Sequence, residues 1–78
     1  MNAGLLWFDN DPSRTIAAKV VAAAERFTQK FGATPDVCYV NARSLTADLV
    51  IPFGEGQITV TPVKNILANH FWVGIAGG

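Results

Sequence analysis

The sequence predicts an α+β fold in two layers, one long helix packed on a four-stranded mixed sheet in the order strand, helix, strand, strand, strand (β-α-β-β-β). Three observations predict it. One stretch near the N-terminus carries helical apolar periodicity, four short β-rich segments flank it, and 78 residues leave room for one small domain only. Half the residues are apolar and 15% are charged, against roughly 25% charged in an average soluble protein, so a folded chain is expected rather than a disordered one.

Leu5-Leu6-Trp7-Phe8 is an apolar run that stops at Asp9-Asn10-Asp11-Pro12, the punctuation between a buried strand and a helix. Asp11 before Pro12 reads as a helix start, because the carboxylate accepts free backbone N–H groups and proline at the first position loses no hydrogen bond. The helix is predicted over 12–31, with Ile16, Val20, Ala23, Ala24, Phe27 and Phe31 on one stripe and Gly32 as its stop. Val37-Cys38-Tyr39-Val40 forms the second strand. Strand, helix and strand at this spacing suggest a right-handed crossover between parallel strands.

Residues 43–51 read as a turn of helix capped by Ser44 and then extended chain, with Leu49-Val50-Ile51 as a strand the other reading. Gly54 and Gly56 mark a loop that tolerates positive φ. Gln57-Ile58-Thr59-Val60-Thr61 alternates polar and apolar, the pattern of a strand with one wet face, and Pro62 ends its pairing or puts it at an edge. His70-Phe71-Trp72-Val73-Gly74-Ile75 is the last strand, paired antiparallel with the one before it, and residues 76–78 fray.

Six basic residues balance six acidic ones, so no net field favours nucleic acid, anionic lipid or an acidic substrate. The one cysteine, Cys38, cannot form an internal disulfide, which suggests a reducing, cytoplasmic setting. No basic leader and no apolar run long enough for a membrane span is found, so no membrane partner is expected.

One helix covers one face of a sheet, yet the first, second and last strands carry bulky apolar residues on both alternations. Strands of that kind are normally buried on both sides. The expectation is a small non-enzymatic interaction module with no cofactor, a homodimer or the docking partner of another protein, unless residues 42–53 fold over the second face. Trp72, Tyr39, Phe53 and Trp7 are the residues expected at the interface, Trp72 foremost as an aromatic anchor.

The alternative is a small metal-dependent enzyme or phosphate binder using Asp9, Asp11 and His70. Asp-x-Asp after an apolar strand is a placement that suits Mg²⁺, and a histidine at a strand end can serve as a base. Asp9, Asp11 and Thr15 resemble the motif of haloacid-dehalogenase-like phosphatases only superficially, since the spacing to Thr15 is too long. Helix capping by Asp11 and turn solvation by Asp9 account for the two carboxylates without chemistry. A third reading, nucleic-acid binding by Arg14, Lys19, Arg26 and Lys30 on the helix, is set back by Glu25 and by charge neutrality. Cys38, in an apolar strand with no cation beside it, is expected to be a buried inert thiol.

Overall fold

The computed structural model describes residues 4–76. It contains β1 (Gly4–Phe8), α1 (Ile16–Phe31), β2 (Val37–Asn41), β3 (Leu49–Phe53), β4 (Gly56–Val63) and β5 (His70–Gly74). The class is the α+β architecture expected, one helix on a mixed sheet, but the sheet has five strands in the order β1-β5-β2-β4-β3 and the chain runs β-α-β-β-β-β.

The additional strand comes from Leu49–Phe53, which pairs antiparallel with β4 through the two-residue turn Gly54-Glu55. Gly54 takes φ 59, as the first position of a tight hairpin turn requires, while Gly56 is the first residue of the next strand. No helical turn forms over 43–48: Asn41 holds the chain in a turn by accepting from Arg43 N–H on its side chain and from Ser44 N–H on its carbonyl, each at 2.9 Å. The segment therefore widens the sheet instead of folding over its second face.

α1 starts at Ile16 rather than Pro12. Asp11 spends its carboxylate on the Ser13 N–H and hydroxyl, at 2.9 and 2.7 Å, an Asx turn that competes with helix. Thr15 is the cap instead: its backbone is extended (φ −75, ψ 162) and its hydroxyl accepts the Ala18 N–H at 3.1 Å. Gly32, at φ 73, closes the other end by donating its N–H to Thr28.

β1 and β2 run in the same direction but are not neighbours, because β5 lies between them and pairs antiparallel with both. β4 and β5 are likewise not a pair. β4 lies parallel to β2, and the connection from Lys64 to Asn69 passes the end of β2. Asn41 pins that connection by donating its side-chain amide to the Ile66 carbonyl at 2.8 Å. Pro62 does not end β4. The Thr59 N–H points at β2, so residue 62 turns the other way, where β3 pairing has already stopped at Leu49–Val60. The missing N–H costs no ladder bond.

The core lies between α1 and one sheet face: Val20, Ala23, Ala24 and Phe27 pack on Cys38, Val40, Ile51, Ile58, Val60, Phe71 and Val73. The helical stripe holds at its middle, with Ile16 half-buried and Phe31 exposed at the ends. Ala76, expected to fray, donates its N–H to the Asp36 carboxylate at 2.8 Å; Met1–Ala3 and the last two glycines lie outside the described residues.

Candidate protein-interaction surface

Strand alternation sorts the side chains before any contact is considered. Phe71 and Val73 are in the core, so His70 and Trp72 emerge on the opposite face. Cys38 and Val40 are in the core, so Tyr39 emerges beside Trp72, its register partner in β5. Leu6 and Phe8 join them from β1 as partners of Trp72 and His70. No strand residue on this face carries a formal charge.

The aromatic rings organise the surface. Tyr39 and Trp72 stack at 5.6 Å with 26° between planes, and Phe8 meets His70 at 5.0 Å. The Trp72 ring also lies across Gly4, where a Cβ would overlap it. Any larger residue there displaces the ring. Beside the stacked pair a groove of about 390 Å³ runs between Tyr39 and Trp72 and the residues Val63, Asn65 and Ile66. Its outer wall is the connection that Asn41 pins.

Exposure marks where the surface is unfinished. Leu6 is 58% and Phe8 56% exposed, and Leu67 at 73% and Val50 at 51% are the other large apolar residues left most open. Isolated exposed apolar residues are ordinary, but contiguous ones mark interaction sites. Leu6 and Phe8 are not among the four interface residues expected from the sequence, whereas Trp7 is. The signal that finds them is phase: with Trp7 facing the helix, its neighbours cannot.

Of the four residues expected at an interface, Trp72 and Tyr39 share the open face. Trp7 and Phe53 do not; both pack against the core on the helix side, at opposite edges of the sheet. The Trp7 indole N–H is enclosed there with no partner among the described residues.

The polar residues are placed separately. Asp9 sits at the corner between β1 and α1, with its carboxylate 3.3 Å from Arg14 and accepting the Asp11 N–H at 2.9 Å. Lys19, only 8% exposed, donates to the Asp9 carbonyl at 3.3 Å. Bonds to Ser13 hold the fully exposed Asp11 carboxyl below the usual carboxylate value.

His70 stands with Phe8 on the open face, its Nδ1 donating to the Ala68 carbonyl at 2.8 Å. The structure thus joins Asp9 to Arg14 on the helix side and does not bring the His70 ring to them. Among the described residues no cluster of three His, Cys, Asp or Glu is placed to hold a metal ion. The four cations expected on one helix do not form one stripe either, because Arg14 precedes α1 and is turned to Asp9, and Lys19 is buried. Cys38 is fully buried, and burial pushes its thiol up to about 12. No described helix is long and apolar enough to cross a membrane.

Comparison of the chain with protein-family models, curated proteins and solved structures finds no match. Fold and surface therefore define only a class, a small one-helix α+β domain with one covered and one open sheet face.

Proposed function

We propose that this chain is a small interaction module, without catalytic activity of its own, that assembles with a second copy of itself through the open sheet face. The observation that carries this reading is the charge-free aromatic surface built by Trp72 on Tyr39, with Leu6 and Phe8 more than half exposed beside it. A domain this small buries only about 60% of its unfolded surface. Covering a second face with a copy of itself adds apolar burial without adding chain. A face without charge also opposes itself without repulsion, and stacked Trp and Tyr are the residue types that anchor interfaces. The setting that suits the module is reducing and cytoplasmic, where Cys38 stays a thiol.

The test is solution mass by light scattering behind size exclusion, over a wide concentration range, for wild type and Trp72→Ala. A wild-type dimer that Trp72→Ala dissociates while the protomer stays folded is the expected result. A monomer at every concentration removes the reading. Equal loss of assembly and folding in Trp72→Ala makes Trp72 a packing residue of the protomer and removes it as an anchor.

A further inference from the structure

The two edges of the sheet are built differently. At the β3 edge the outward-turned positions are 50 and 52, since Ile51 and Phe53 pair with β4 across the tight Gly54-Glu55 turn. Pro52 occupies one of them and removes an outward N–H, a usual device for blunting an edge. The β1 edge has no such device. Its residues are Gly-Leu-Leu-Trp-Phe, with no proline, no charge and no described partner strand on the outer side.

The direction in which β1 turns its backbone groups follows from two independent bonds. The Asp9 N–H donates to the Asn69 carbonyl in the β1–β5 register, so residues 9, 7 and 5 turn towards β5. The Thr59 N–H donates to the Asp36 carbonyl, which turns Val37 and Tyr39 towards β5, and hence Trp72 towards β2 and Phe71 and Val73 towards β1. Both give the same answer: Gly4, Leu6 and Phe8 present their N–H and C=O groups to the outside.

We infer that two copies of this chain join edge to edge, β1 against β1 in antiparallel register with Leu6 on the two-fold axis, to form one continuous sheet. In this register every outward N–H of Gly4, Leu6 and Phe8 meets an outward carbonyl of the same three residues in the second copy. Leu6 opposes Leu6, and Gly4 opposes Phe8. The strand carries no charge to repel its copy. The side-chain fit is also specific. Gly4 has no side chain and the Trp72 ring lies over it, so the second copy's Phe8 arrives beside that ring and extends the row of Tyr39 and Trp72 across the axis. This edge is distinct from the face proposed above, although the side chains of Leu6 and Phe8 border both.

The test combines amide exchange with crosslinking on the full chain. In the assembled protein the Leu6 and Phe8 amides exchange as slowly as those of Leu5 and Trp7, and on dilution to monomer only the outward pair speeds up. Leu6→Cys brings two thiols together across the axis, where Cα atoms of a hydrogen-bonded pair lie about 5.5 Å apart, within disulfide reach. Under oxidation it gives a covalent dimer, and Val50→Cys at the blunted edge does not.

Fast exchange of the Leu6 and Phe8 amides in assembled protein overturns the inference, as does a monomer throughout or equal crosslinking by Val50→Cys. The face reading fails separately: slow outward amides with a mass that Tyr39→Ala, two strands in from the edge, leaves unchanged keep the edge and discard the face. Dissociation by Trp72→Ala with fast outward amides does the reverse.

Discussion

At the scale of single residues, Cys38 is a reporter of folding. Its thiol is enclosed between α1 and the sheet, and desolvation raises it from the ordinary 9.0 to about 12. The unfolded chain loses this proton near 9 while the folded chain keeps it to about 12. Its contribution to stability is therefore full below pH 9 and is lost as pH rises through the interval to about 12. Wild type should lose stability over that interval more steeply than Cys38→Ala, measured by urea melts at successive pH values; parallel curves would mean the thiol is solvated. Gly4 is the second reporter. Gly4→Ala drives a methyl group into the Trp72 ring, and overpacking of this kind costs about 1–3 kcal/mol. A melt with unchanged midpoint would show that the ring moves freely off the strand.

At the scale of elements, the start of α1 separates two residues that look alike in sequence. Both Asp11 and Thr15 are good caps by type, and proline after Asp11 favours the earlier start. The structure gives the cap to Thr15 and leaves Asp11 in a turn. Thr15→Ala should cost about 1 kcal/mol and Asp11→Ala distinctly less, read from chemical denaturation; the reverse order would move the helix start back to Pro12.

The same element shows what was legible in the sequence. The stripe Val20, Ala23, Ala24 and Phe27 is buried as its spacing predicts, because periodicity is a local property. Strand order was not legible. What places β5 between β1 and β2 is backbone pairing across long separations, and periodicity within each strand is silent on its neighbour. β3 was half legible, since Leu49-Val50-Ile51 has strand composition but its identity depends on the Gly54 turn and on β4 alongside. Of the open face, Tyr39 and Trp72 follow from alternation around buried neighbours, whereas the phase that turns Trp7 and Phe53 to the helix side is set by pairing with β5 and β4 and not by their own segments.

At the scale of the whole molecule, the fold and the assembly can be separated by one quantity, the dependence of Tm on protein concentration. Association stabilises the folded state by mass action, so the Tm of a self-associating chain rises with concentration. A defect confined to the protomer lowers Tm at every concentration and leaves that slope alone. Phe27→Ala is such a defect: the ring is fully buried between α1 and the sheet, far from the open face, and its removal costs about 3–5 kcal/mol. Trp72→Ala takes a ring from the open face while leaving Phe71 and Val73 in the core, so it should flatten the slope more than it lowers Tm at high dilution. Thermal melts of wild type and both variants at several concentrations decide the matter. A flat wild-type line would mean that the protomer stands alone with its aromatic face in water, and equal slopes in wild type and Trp72→Ala would take the Trp72 ring out of the contact.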